Sequence, residues 1–347
     1  MVVDFDKFFV TRYMGAKYKL LDFIIPPITN LLQEGGSFID LMAGTHSVGY
    51  ALKKRNRVIA NDVQYYSKIF GEAIIENNTF SNINFRYHED FNKLEINKNM
   101  SSWFVETYSD TYFSKYQCQE ISSIRIQISR IVDPYVQQIY LTALAYAMSL
   151  CQSSTGHFAQ YLPKTHPRLK YLRSLSILES FNQRCNEIDI VVSKHGGKVF
   201  NLEINDFLNQ DYLHQHAGIG SLAYLDPPYS PAQYSRYYHL LETVFLNDEP
   251  KVGFKGVYRD DRFQSDFCST KKALDAFEEV ISNVSKKEWN LVISYANSGV
   301  VDISNLKKVC KDFYPVVTVQ NRDYLHSTQG RGETRDISEL LLICSKN

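Results

Sequence analysis

Two short apolar runs near the start of the chain constrain its fold more than any other feature. Ser37 to Leu41 (SFIDL) and Arg57 to Asn61 (RVIAN) each read as a buried strand, and each leads into a helix-compatible stretch, Gly44 to Lys53 and Ser67 to Asn77. A strand–helix–strand–helix opening implies a parallel sheet with right-handed crossovers. Strand-like runs resume at Val199 to Ile204, Leu222 to Leu225, Leu291 to Ser294, Val316 to Val319 and Leu340 to Cys344. An irregular polar loop joins the last two, which pair most simply as a hairpin. From about residue 95 to 188 the pattern breaks into a long, aromatic, helical region. It includes the apolar helix Tyr135 to Leu150 and a polar, basic stretch around Thr155 to Arg173. The expected organisation is an α/β domain made of residues 1–94 and 189–347, split by a mainly helical insertion over 95–188.

Composition limits the partners. With 347 residues and 44% hydrophobic content the chain can bury a proper core, as one large domain with an insertion or as two domains. Its opening, MVVDFDKFFVTRYMG, is charged and aromatic, and no apolar run reaches transmembrane length, so a soluble, cytoplasmic protein with no membrane partner is expected. Cys118, Cys151, Cys185, Cys268, Cys310 and Cys344 are scattered in mostly apolar surroundings without paired metal spacing, which predicts buried reduced thiols and no metal site. Lys and Arg total 38 against 38 Asp and Glu, so any nucleic-acid affinity must come from locally concentrated charge. One stretch concentrates it: His157 to Lys198 holds seven basic residues against three acidic ones, interleaved with Tyr161, His166 and Tyr171. A solvated helix face with its loop is the alternative use of such a stretch.

The sharpest chemical signal is Asp226-Pro227-Pro228-Tyr229, set directly after the apolar run Leu222 to Leu225. Each proline fixes its own φ and removes a backbone donor, giving a rigid corner that presents carbonyl oxygens. Asp226 and the Pro227 carbonyl can together accept the hydrogens of a planar exocyclic amine and turn its nitrogen lone pair outward for attack. Tyr229 supplies an aromatic plate for the face of a base. A plain loop entry with an Asx turn uses the same residue types. Downstream, Ser230 to Glu242 (SPAQYSRYYHLLE) is a polar aromatic turn running into a helix, in which Gln233, Tyr234, Arg236, Tyr237 and His239 either order the pocket lip, contact phosphate or pack. Ser294 to Gly299 is a second candidate wall of the pocket, or a simple strand exit.

In an open parallel sheet, ligands bind beyond the carboxyl ends of the strands where strand order reverses. Asp40-Leu41-Met42-Ala43-Gly44-Thr45-His46-Ser47-Val48-Gly49 follows the first strand and Asp62 ends the second. A glycine turn lets a cofactor approach the backbone, and an acid after strand two accepts from ribose hydroxyls. The glycine spacing departs from the three-glycine dinucleotide fingerprint, which argues against nicotinamide chemistry.

The order Tyr13-Met14-Gly15-Ala16-Lys17, Asp40 to Gly49, Asp62, an insertion, Asp206, and Asp226-Pro227-Pro228-Tyr229 resembles the Dam-like (alpha-class) adenine-specific DNA methyltransferases over about residues 11 to 345. The resemblance implies a Rossmann-like class I methyltransferase sheet, mostly parallel with the final strand antiparallel. It implies S-adenosylmethionine as cofactor, a flipped adenine in double-stranded DNA as substrate, and a cognate restriction endonuclease as a possible biological partner. Carried over by position, Tyr13, Gly15, Ala16 and Lys17 surround the methionine portion of the cofactor and Asp40, Ala43 and Gly44 line its pocket. Asp62 binds the ribose, and Asp206 with Phe207 addresses the cofactor adenine; an N-cap is the plain reading of Asp206, a surface lysine that of Lys17. Catalysis falls to Asp226, Pro227, Pro228 and Tyr229. Target recognition falls to the insertion, with His157, Lys164, Arg168, Lys170 and Arg173 as DNA contacts beside Gln233, Tyr234 and Arg236. The loop from Arg322 through His326 and Arg331 to Arg335 is a further candidate. Methylation of a cytosine amine or of RNA, and a non-catalytic DNA-binding subunit, are the alternatives. Met42 stands where the family usually has an aromatic residue and His46 where it has a small glycine, so the His46 side chain either points away from the cofactor or narrows its pocket.

Overall fold

The computed structural model describes residues 10–11, 15–81, 87–325 and 336–346. Among these, seven strands form one sheet: β1 (Phe38–Asp40), β2 (Val58–Asn61), β3 (Gly197–Phe200), β4 (Leu222–Leu225), β7 (Asn290–Ala296), β8 (Val316–Leu325) and β9 (Asp336–Ser345). The two-residue strands β5 (Val252–Gly253) and β6 (Tyr258–Arg259) pair as a separate hairpin. The sheet order is β3-β2-β1-β4-β7-β9-β8. Pairing is parallel from β3 through β7, while β9 runs antiparallel to both β7 and β8. The expected class, a mostly parallel sheet with an antiparallel final strand, is therefore observed. The expected hairpin of the last two strands is also present, though each strand runs to ten residues.

β1 pairs with β2 on one side and β4 on the other, so strand order reverses across the β1–β4 seam. The register sets Asp40 opposite Tyr224. Asp226, two residues further along, therefore emerges beside the turn that follows β1. Strand order thus puts the proline corner and the glycine turn at one switch point.

The short central strands are buried on both faces, as their apolar runs require. Alternate residues divide between two cores. Phe38, Val58, Tyr224 and Val292 face one; Ile39, Ile59, Ala223 and Leu291 face the other, against Phe277, Ile281 and Leu306. The first core continues without a break into the inserted helices, through Ile121 and Ile124 of Lys115–Ser129, Leu144 and Met148 of Pro134–Cys151, and Phe181 of Ile177–Glu187. These helices start on strong local signals: a Ser114/Gln117 capping box, an Asp133 cap followed by Pro134, and a Ser176 cap. Buried Glu120 adds a second cap, accepting from the backbone N–H groups of Ile177 (3.1 Å) and Leu178 (3.3 Å). All six cysteines are buried and unpaired. Among the described residues no helix is long and apolar enough to cross a membrane.

His46 occupies the turn after β1 at φ +58°, a left-handed conformation that favours glycine. Its ring is fully buried and donates from Nε2 to the Ser67 carbonyl (2.8 Å). The space it fills is opened by Gly71: a Cβ there would lie 2.6 Å from His46 Cε1 and 2.8 Å from Val199 Cγ1. Burial pushes the imidazole down from 6.5 to about 4. The folded chain thus holds this ring neutral where the unfolded chain takes a proton, and stability falls as pH drops from about 6.5 towards 4. Gly71→Ala should cost about 1–3 kcal/mol by overpacking, and less in a His46→Gly background, which should also flatten the acid slope. Urea denaturation of the two single variants and the double variant at pH 7 and pH 5 measures both effects.

Candidate active site

A cavity of about 560 Å³ lies over the β1–β4 seam. The predicted cofactor residues Gly15, Ala16, Lys17, Asp40, Ala43, Gly44 and Asp62 line it, as do Asp226, Pro227, Pro228 and Tyr229 and the lip residues Gln233 and Tyr234. Tyr13 lies outside the described residues. Met42 is among the lining and His46 is not, so the imidazole points away from the cavity. Asp206 and Phe207 do not line it either: Asp206 is exposed and Phe207 is buried in the core. The residues just before them, Leu202 to Asn205, take that wall. Glu203 caps the short helix Ile204–Leu208, its carboxylate accepting from the Asn205 N–H (2.8 Å).

Asp62 fixes the two strand-end loops to each other. One carboxylate oxygen accepts from the Gly44 N–H and the other from the Gln64 N–H, both at 2.8 Å. Each oxygen keeps a further lone pair for a ligand hydroxyl. Asp40 is 2% exposed, and its Oδ1 has no hydrogen-bond partner among the described residues. Burial, with Asp226 and Asp62 nearby, pushes its pKa well above the carboxylate range. Asp40 lines the cavity, and a buried acceptor without a partner beside it suits a ligand carrying N–H, O–H or positive charge.

Beneath the tetrad sits a buried ion cluster. Lys17, in a single 3₁₀ turn and 5% exposed, places Nζ 3.0 Å from Asp226 Oδ1 and 3.1 Å from Glu339 Oε1. The Tyr229 hydroxyl donates to Asp226 Oδ1 (2.7 Å) and also lies 3.3 Å from Glu339 Oε1, while Ser294 Oγ donates to Glu339 Oε1. Burial pulls the Lys17 ammonium down, but the two carboxylates more than offset it and raise its pKa. For Asp226 burial pushes up, Lys17 pulls down and Glu339 pushes up, leaving the carboxyl above its ordinary range. Lys17 is therefore a buried cation and not a surface lysine.

Two expectations change in detail. Tyr229 is held as a hydrogen-bonding strut, with the Lys17 ammonium 4.5 Å above its ring centre and Tyr295 edge-on at 5.6 Å. Stacking on a base requires that arrangement to open. Residues 294–299 do not line the cavity; Ser294 and Tyr295 brace the tetrad from behind. Glu339 was not singled out from sequence. Its signal is one acid within Ile337-Ser338-Glu339-Leu340-Leu341-Leu342, a charge directly before a buried apolar run.

At the lip, Gln233 is locked to the Ser265 backbone, donating to its carbonyl (3.1 Å) and accepting from its N–H (2.7 Å). Exposed Arg236 lies over the Tyr237 ring (5.5 Å), and the His157 ring packs on the same tyrosine (4.7 Å). The insertion therefore reaches the lip through His157. Lys164, Arg168 and Lys170 are exposed, whereas Arg173 pairs with Asp110 (3.1 Å). Arg322 is engaged by Asp22 in a bidentate pair, both contacts 2.7 Å; His326, Arg331 and Arg335 lie outside the described residues.

A family model described as D12 class N6 adenine-specific DNA methyltransferase matches residues 13–295, most of the chain and both halves of the cavity. The chain belongs to this family. Similar proteins include the modification methylase StsI of Streptococcus sanguinis, 26% identical across 95% of this chain and 51% of that protein. The modification methylase LlaI of Lactococcus lactis subsp. lactis is 26% identical across 97% and 55%. The chain thus spans about half the length of these two relatives. It covers 92% of the Type II methyltransferase M.NlaIII of Neisseria lactamica, at 25% identity over 90% of its own length. The Dam-like resemblance read from the motifs is thereby confirmed at the level of the family.

The cluster makes the D12 core sensitive to loss of its cation. Lys17→Met leaves the buried Glu339 and the half-buried Asp226 uncompensated and should cost about 3–5 kcal/mol of stability. Without Lys17, Asp226 holds its proton more tightly folded than unfolded, so the deficit should grow as pH rises from about 5 to 8. Urea denaturation at the two pH values reads it.

Proposed function

We propose that this chain transfers a methyl group from S-adenosylmethionine to the exocyclic amine of a flipped adenine in double-stranded DNA. We place it in the cytoplasm as the modification component of a restriction system, with a cognate endonuclease as its biological counterpart. The observation that carries the reading is the position of Asp226. Its Oδ1 is taken by Lys17 and Tyr229, and among the described residues nothing bonds Oδ2, at the edge of a cavity shared with Asp40, Gly44 and Asp62.

The residues fit the cofactor that the family implies. Asp62 would accept from the ribose hydroxyls, Asp40 and the Gly44 turn would border the amino acid portion together with Gly15 to Lys17, and Glu203 and Asn205 would meet the adenine ring in the place first expected of Asp206 and Phe207. S-adenosylmethionine supplies a methyl group already activated on a sulfonium. Asp226 Oδ2 and the Pro227 carbonyl accept the two hydrogens of the target amine, directing its lone pair along the attack line. The amine loses one proton as its new N–C bond forms, and an Asp226 whose affinity for protons is raised by burial is suited to receive it. A stacked adenine cannot reach that geometry, so the nucleotide rotates out of the duplex and displaces Tyr229 from its strut. Lys164, Arg168, Lys170 and Arg236 contact phosphates, and His157 joins the lip. The side chain of His46, which motivated a non-catalytic alternative, leaves the cavity clear.

Incubation of duplex DNA with methyl-labelled cofactor, followed by digestion to nucleosides, should place the label on adenine. Label on cytosine, or on RNA alone, refutes the proposal. Asp226→Ala should lower turnover by about 10²–10³-fold or more while cofactor affinity by calorimetry stays within a few-fold; substantial residual turnover puts the chemistry elsewhere.

A further inference from the structure

We propose that Glu339 is a positioning residue for methyl transfer: its carboxylate shares Lys17 with Asp226, so that the ammonium stays at Asp226 Oδ1 and does not fully neutralise the carboxylate whose Oδ2 takes the target amine. This rests on the function proposed above.

Glu339 is 3% exposed, in the middle of β9 with Ala296 and Arg322 as its neighbours in register. A carboxylate in such a position costs several kcal/mol of desolvation, and a leucine would continue the apolar run around it. Replacing buried ion pairs by apolar residues is often neutral or stabilising, so stability gives no reason for an acid here. What the acid does is collect donors: Lys17 Nζ, Tyr229 OH and Ser294 Oγ all converge on its Oε1. Two of these three also touch Asp226 or belong to the tetrad.

The charge count explains the consequence. A lone Lys17 facing Asp226 in a desolvated site would close into a neutral pair, quenching the acceptor that the amine needs. Placed between two carboxylates, the same ammonium leaves the three-residue cluster with one net negative charge. It is also held at Oδ1, away from the oxygen that serves the substrate. Geometry and charge both depend on Glu339 lying across Lys17 from Asp226, with Nζ at 3.1 Å and 3.0 Å.

Glu339→Gln tests this, because it keeps shape and acceptor oxygen while removing the charge. Expected are a normal fold, cofactor affinity within about twofold by calorimetry, a kcat lower by about 10²-fold with KM for DNA little changed, and an acid limb of kcat/KM moved to lower pH. In the protein without ligands, the carboxyl carbon of Asp226, labelled with ¹³C and assigned by comparison with Asp226→Asn, should titrate at lower pH in Glu339→Gln than in the parent. Glu339→Asp should regain part of the lost kcat. An unaltered kcat in Glu339→Gln, or a loss of kcat with no movement of the Asp226 midpoint, overturns the proposal. If the parent protein labels no adenine, the function itself fails, and the midpoint still decides whether Glu339 governs Asp226.

Discussion

One buried ammonium joins the parts of this protein that matter for chemistry. Lys17 comes from the N-terminal turn, Asp226 from the exit of β4 and Glu339 from β9, and the three meet within 3.1 Å contacts under the cavity floor. Each charge lowers the cost of placing the others there. A buried charge with its partner removed costs several kcal/mol, far more than a surface ion pair contributes. The N-terminal segment is therefore held against the sheet by the same interaction that sets the acidity of the tetrad carboxylate, and folding and site assembly are one event. Tyr229 reinforces the arrangement, because its hydroxyl reaches both carboxylates and its ring lies under the ammonium.

What the sequence revealed depended on whether the signal was local. β4 was bounded correctly at Leu222 to Leu225 because a fully buried strand is a continuous apolar run ended by proline. The proline corner, the glycine turn and Asp62 were readable for the same reason, and strand order then brought them together. The helix expected over Ser67 to Asn77 instead begins at Tyr65 and widens into a π-helical turn over Glu72–Glu76. Lys53 explains where that turn's carbonyls go, donating to Ile74 O (2.8 Å) and Asn77 O (2.6 Å), a contact no local pattern announces. Asp206 and Phe207 lie off the cavity wall, one exposed and the other in the core, on a helix that begins at Ile204. Glu339 was invisible because its role exists only once β9 has inserted between β7 and β8.

His46 shows how a departure from a family pattern is accommodated. The turn needs a left-handed residue, which normally means glycine, yet here an imidazole occupies it. The compensation lies in the neighbouring helix, where Gly71 leaves room for the ring and Ser67 accepts its proton. The side chain is therefore a packing element behind the loop, and the cavity wall remains backbone and small residues. Such an accommodation cannot be inferred from the motif alone, since the glycine that makes room lies 25 residues away in sequence.

The insertion is bound to the sheet more closely than a separate recognition module would be. Its helices share one uninterrupted core with a sheet face, so it cannot move as a body without exposing residues such as Leu144, Met148 and Phe181. Its reach to the substrate side is also fixed, because the Phe158 N–H donates to the Tyr237 carbonyl (2.8 Å) and the His239 ring bonds the Phe158 carbonyl (3.0 Å). Tyr112 and Tyr108 then tie the insertion to the β5–β6 hairpin through the carbonyls of Gly256 (2.9 Å) and Val257 (3.3 Å). The lip downstream of the tetrad is thus built jointly by the helical region and the segment that follows β4. On the function proposed here, whatever DNA sequence the insertion engages is coupled mechanically to the corner that receives the base, through the Tyr237 ring that His157 and Arg236 share.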